Sequence, residues 1–143
     1  MKETRYLLDA NVVSRLTAEQ RASPFVSKYC RIPADVMHEV RGLSDWSSIA
    51  HIMLSVNAAT LSCLRDVMAT ITPGDLSLVD LYHFKGTADP VLVAAALAAD
   101  HGDGQLWPTE WHVVSDDKAV RDTATVLDVP WKSRADLVAM IRT

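Results

Sequence analysis

The chain has 143 residues, 49% hydrophobic and 22% charged, which suits one domain with its own core (residues 1–143) and leaves little room for a second. A formal net charge of −4 argues against recognition of nucleic acid through a broad basic face, although four acids gathered in one site would account for that excess. No apolar run approaches the ~18 residues of a membrane span, and nothing before Asp9 has the pattern of a leader peptide, so no membrane association and a cytoplasmic location are expected.

Tyr6 to Asp9 reads as a short buried strand that stops on a carboxylate, and Val12, Val13 and Leu16 place a helix after it. Ser23-Pro24 breaks that region. Cys30-Arg31-Ile32 reads as a second strand ending at Pro33, and Ala34 to Arg41 as a helix stopped by Gly42. Trp46, Ile49, Met53 and Val56 share one helical face, and so do Leu61, Leu64, Met68 and Ile71, so two further helices are expected. Pro73-Gly74 ends the second. Leu76 to Leu81 has strand character, against which Asp80 counts.

Asp89-Pro90 opens an alanine-rich helix whose small side chains allow close packing on a sheet. His101 to Trp111 reads as a loop. Its Trp107 and Trp111 either pin it to the body, the commoner fate of tryptophan, or stack on bases of a substrate. His112 to Ser115 reads as a buried strand, followed by a helix through Val120, Ala124 and Leu127 and a short strand at Val129 to Trp131. Ser133 and Asp136 form a capping box before the last helix. Cys30 and Cys63 sit among apolar neighbours and read as small buried hydrophobes, not as a disulfide. Strands alternating with helices predict an α/β domain with a mostly parallel sheet, and sites in such sheets gather at the carboxyl ends of the strands.

The acids fall at such junctions. Asp9 ends the first strand, Glu39 lies in the helix after the second, Asp89 opens the alanine-rich helix, and Asp116 and Asp117 follow the HVVS strand. Each alone has an ordinary explanation: aspartate is a preferred helix cap, proline a preferred first helical residue, and Glu39 reads as a solvated helix carboxylate. Together they mean more, because clustered carboxylates raise one another's pKa and persist when a cation compensates. Hard cations such as Mg²⁺ or Mn²⁺ take oxygen ligands of this kind and support phosphoryl chemistry.

These stretches resemble the PIN-domain family, in particular VapC-type toxins of toxin–antitoxin pairs. YLLDANVVSRL is similar to the first PIN motif, with Asp9 as its acid and Asn11 as the small polar residue after it; IPADVMHEVR supplies Glu39; GTADPVLVAAALA supplies Asp89; VVSDDKAVRDTA places Asp117 at the fourth acid and Ser115 at the hydroxyl, with Asp116 as a competing neighbour. The resemblance implies a three-layer α/β/α PIN-like domain with a central, mostly parallel sheet of four or five strands. It implies an Mg²⁺- or Mn²⁺-dependent endoribonuclease that leaves 5′-phosphate and 3′-hydroxyl ends. Asp9, Glu39, Asp89 and Asp117 would hold the metal, with Asn11 and Ser115 orienting ligands or water. The expected partners are an RNA substrate, a cognate antitoxin protein and a second copy of the chain.

Two alternatives differ in chemistry. A haloacid-dehalogenase-like phosphatase would need a second aspartate where Asn11 stands, and Lys85 lies in the wrong context for its lysine. A catalytically weak or inactive PIN-fold module that binds a protein partner would not need the full acidic set. His38 and His83 read as structural or exposed, and Arg15, Lys118 and Arg121 as solvated helix charges with phosphate contact as the sharper reading.

Overall fold

The computed structural model describes residues 3–55, 58–69, 88–100 and 109–142, with the backbone alone at 88–91, 99 and 100. The elements in chain order are β1 (Glu3–Leu8), α1 (Ala10–Arg15), α2 (Ala18–Arg21), α3 (Pro24–Tyr29), β2 (Cys30–Pro33), α4 (Ala34–Glu39), β3 (Met53–Leu54), α5 (Ala58–Ala69), α6 (Ala88–Asp100), β4 (Thr109–Val114), α7 (Lys118–Val126), β5 (Trp131–Lys132) and α8 (Arg134–Ile141). The strands form one five-stranded sheet in the order β3-β2-β1-β4-β5, with every pairing parallel. This is the expected α/β class.

Neighbouring residues of the central strands face opposite sides. Tyr6, Leu8 and Val114 join Val12, Val13, Val26, Ile32, Val36 and Leu137 in one apolar cluster. Leu7, Trp111 and Val113 join Val67, Leu92, Val93, Val120 and Ala124 in the other. Helices therefore cover both faces, and a strand buried on both sides reads as a continuous apolar run. That explains why YLL and HVV do not alternate.

Local capping decides where the short helices begin. Thr17 and Gln20 form a reciprocal capping box at α2. Ser23 caps α3 at Val26, with Pro24 at its first position, so Ser23-Pro24 starts a helix as well as breaking one. Ser133 and Asp136 close the predicted box at α8. α7 ends in a Schellman turn: Asp128 sits at φ 57°, Val129 N–H donates to the Ala124 carbonyl (2.8 Å) and Asp128 N–H to that of Thr125 (3.2 Å). This turn sends the chain straight back into β5.

Several expectations are corrected. Trp46 to Met53 is not a helix but two 3₁₀ turns, Trp46–Ser48 and Ala50–Ile52, followed by edge strand β3. Ile49 and Ile52 are buried three residues apart, the 3₁₀ period, and Met53 is drawn out to pair with Ile32. α5 is present, but it buries Thr60 and Val67; Leu61 is 60% and Met68 41% exposed. The face packed on the core keeps Leu64 of the expected stripe but turns Leu61 and Met68 outward. Trp111 belongs to β4, where it is 6% exposed, not to a loop, so it is a core residue with no face for a base. The last strand begins at Trp131, not Val129. Cys30 is buried, its thiol pushed by burial up to about 12, and Cys63 is half-buried; both are free. Val56, Ile71, Pro73-Gly74, Leu76 to Leu81, His83, Lys85 and Trp107 lie outside the described residues.

One buried cation ties the first half of the chain together. Arg21 donates through Nε and Nη2 to both oxygens of Asp45 (2.8 and 2.9 Å) and through Nη1 to the carbonyls of Val13 (3.0 Å) and Leu16. It joins the end of α1 to the loop after α4. Replacing Arg21 by Met should cost about 3 kcal/mol in urea unfolding, since one partner of the pair and two carbonyls lose their donor. Arg21 also holds the Asp45 carboxyl below its ordinary 3.8. That stability is present above pH 3.8 and lost as pH falls through the lowered value, a loss the Met variant should not show.

Candidate functional site

The sheet order places a site before any side chain is considered. The chain winds outward from β1 through β2 to β3, then returns to β4 and β5 on the other side, so the order reverses between β1 and β4. Crevices at the carboxyl ends of strands form at such switch points. Asp9 directly follows β1 and Ser115 directly follows β4. The ladder carries one residue further, with Asp9 N–H donating to the Val114 carbonyl (3.1 Å) and Ser115 N–H to that of Lys132 (3.0 Å).

Asp9 occupies the N-cap position of α1, yet its carboxylate makes no capping hydrogen bond. It accepts instead from the Ser115 hydroxyl (2.7 Å), 106 residues away. Asp9 is 4% exposed and Ser115 fully buried. Ser115 Oγ in turn accepts from the Asp117 amide (3.1 Å), so one hydroxyl orients both acids. Burial raises the Asp9 pKa above 3.8; Ser115 and the amides of Ala10 and Asn11 hold it back, and the Asp117 charge adds to the rise.

The two adjacent aspartates separate cleanly. Asp117 caps α7, accepting from the Ala119 amide (2.9 Å) through Oδ1, and its charge reaches Asp9. Asp116 turns the other way: its Oδ1 accepts from the Arg134 amide (2.9 Å) at the start of α8, and its Oδ2 lies 3.7 Å from Arg134 Nε. Asp116 therefore holds α8 in place.

Glu39 is the last residue of α4 and is exposed. Its pKa is raised by the burial it has, then by Asp9 and Asp35, with His38 opposing. Asp89 is the second residue of α6, and its side chain lies outside the described residues. The Asn11 side chain is exposed, and only its amide bears on Asp9.

Asp117 thus acts on Asp9, and Asp9 on Glu39, while Ser115 bonds the first two. Among the described residues, no three His, Cys, Asp or Glu side chains come close enough to hold a metal ion by themselves. The donor chemistry still suits a hard cation: a buried carboxylate under the charge of Asp117 that itself acts on Glu39, with no basic side chain among the described residues that influence Asp9. Sequence reasoning missed Arg134 as the partner that takes Asp116 out of the site. The S-x-x-D box at Ser133 located the helix start to which Asp116 binds, but not the pairing. Among the described residues no helix is long and apolar enough to cross a membrane. No protein-family model matches the chain, and no curated protein matches it. The likeness to PIN domains therefore rests on the residues of the four motifs.

The raised Asp9 pKa has a measurable sign. The ionised carboxylate opposes folding above the folded-state pKa, and this penalty is absent below the unfolded value near 3.8. In EDTA at pH 7, Asp9→Asn should melt at a higher temperature than the parent protein, and the gap should close below about pH 4. Adding Mn²⁺ should raise the melting temperature of the parent protein and leave the variant unmoved.

Proposed function

We propose that the chain is a metal-dependent endoribonuclease of the PIN type, the toxin of a toxin–antitoxin pair acting in the cytoplasm. The observation that carries this reading is Asp9: a buried carboxylate at the switch point of a parallel sheet, under the charge of Asp117 and itself acting on Glu39. Asp9 does more than face the amides of Ala10 and Asn11 at the start of α1: its carboxylate also takes the Ser115 hydroxyl, 106 residues away at the end of β4.

Asp9, Glu39, Asp117 and Asp89 would hold one or two Mg²⁺ or Mn²⁺ ions. A helix leading into a parallel strand packs antiparallel to it, so the start of α6, which carries Asp89, belongs at the same carboxyl edge. When bound, the ion activates water and neutralises charge on a phosphodiester. The chain's own contribution is positional. Ser115 fixes Asp9 through Oδ2 and fixes the turn that presents Asp117. The acidic surroundings also suit an arginine or lysine of an antitoxin, and a toxin dimer accords with the PIN likeness.

A second reading, a PIN-fold module that binds a protein partner without cutting RNA, draws on the same acidic surroundings, which suit a basic partner with or without catalysis. Incubation of the purified chain with RNA in Mg²⁺, Mn²⁺ or EDTA separates the two. Cleavage should require the metal, leave 5′-phosphate ends, and vanish in folded Asp9→Asn, Glu39→Gln and Asp117→Asn variants. Ser115→Ala should lose roughly 10- to 100-fold in rate, as groups that orient ligands do. Asp116→Asn should keep its activity. Cleavage that survived Asp9→Asn would overturn the mechanism, and intact RNA under every metal condition would favour the module.

A further inference from the structure

α7 leads away from Asp117 with Lys118, Arg121 and Thr125 at positions three and seven residues apart, which puts them on one face. At the foot of that face lies Trp131, 37% exposed on edge strand β5. Tryptophan is normally well buried, and this one is held rigidly where it is. Its Nε1–H donates to Thr125 Oγ1 (3.2 Å), and the Arg121 guanidinium lies 4.9 Å from the ring centroid. The Schellman turn at Asp128 brings the chain back to make these contacts.

The register sets how far this aromatic lies from the acids. Trp131 pairs with Val113, two residues before Ser115. At ~3.3 Å per strand residue and ~4.8 Å between strands, this sets the Trp131 backbone about 8 Å from that of Ser115. Lys118 follows Asp117 directly. It is 82% exposed, and its ion pair with the exposed Asp122 (2.6 Å) is of the kind worth little in water, so a phosphate can replace it. Arg121 is half-buried: its Nε is covered, without a hydrogen-bond partner among the described residues, so only the outer part of the guanidinium can meet a phosphate.

We propose that this face of α7, from Lys118 through Arg121 to the indole of Trp131, is where single-stranded RNA lies beside the carboxylate site. A base sits against the exposed part of the indole, and the two cations meet phosphates. Cations beside an aromatic that stacks on a base are the chemistry by which unpaired nucleic acid is held with little sequence preference. A chain with net charge −4 needs such a local stripe because it has no charge excess for a broad basic face. The inference rests on reading the acids as a nuclease site, since that makes an RNA backbone the neighbour of Asp117.

The test is fluorescence anisotropy of a short, end-labelled single-stranded RNA in EDTA, where cleavage is silent. Trp131→Ala should weaken binding about tenfold, and Trp131→Phe, which keeps a ring, should recover most of it. Arg121→Gln should weaken binding and lower the salt dependence by about one ion. Asp122→Ala, which frees Lys118, should tighten it. Melting curves establish that each variant is folded.

Unchanged RNA affinity in folded Trp131→Ala and Arg121→Gln overturns the proposal, as does parent protein that binds no RNA but captures a protein through these residues. The two readings fail separately. Normal binding by the Trp131 variant alongside metal cleavage lost in Asp9→Asn removes the RNA surface and leaves the nuclease. Weakened binding with no metal-dependent cleavage anywhere removes the nuclease and leaves the surface.

Discussion

The hydrogen bond from the Ser115 hydroxyl to the Asp9 carboxylate is the contact around which the carboxyl edge of the sheet is arranged. It joins the ends of β1 and β4, the two strands on either side of the switch point. The hydroxyl acts in both senses, donating to Asp9 and accepting from the Asp117 amide, so the turn that starts α7 is fixed by the same atom that fixes the buried acid. Backbone bonds to Val114 and Lys132 continue the ladder at the same level, and hold the carboxylate between the Ser115 hydroxyl and the amides of Ala10 and Asn11.

That arrangement runs against stability. A buried carboxylate with another acid acting on it is a cost the rest of the fold must absorb. The absorbing parts are the two apolar clusters, which cover both faces of the central strands. Such local conflicts, a charge ending an apolar strand inside an otherwise consistent fold, are expected at functional sites. Arg21 shows the contrast: it is also buried, but its donors meet four acceptors, and nothing about it is poised to change. A charge buried with full pairing is architecture. A charge buried without it invites a ligand.

Neighbouring residues acquire different work through the elements that follow them. Asp116 and Asp117 are chemically identical and one residue apart, yet Asp117 caps α7 beside Asp9 while Asp116 reaches the amide that opens α8. Trp111 and Trp131 divide in the same way. The first is sealed between β4 and its covering helices, and the second is left on an edge strand under Arg121. Neither distinction follows from composition or spacing, because each depends on which helix packs over which strand.

The sequence by itself determined the α/β class, the strands that begin near Tyr6, Cys30 and His112, the capping box of Ser133 and Asp136, and the placing of Asp9, Asp117 and Ser115 at strand ends. These are local consequences of apolar runs, breakers and caps, read within a few residues of one another. It did not determine that Trp46 to Met53 would become 3₁₀ turns and an edge strand, because β2 had first to offer an unpaired side. Nor did it determine which face of α5 is buried, since the position of α6 decides that. The pairing of Asp9 with Ser115 belongs wholly to the tertiary structure: the residues are 106 positions apart, and only the parallel register of β1 on β4 makes them neighbours.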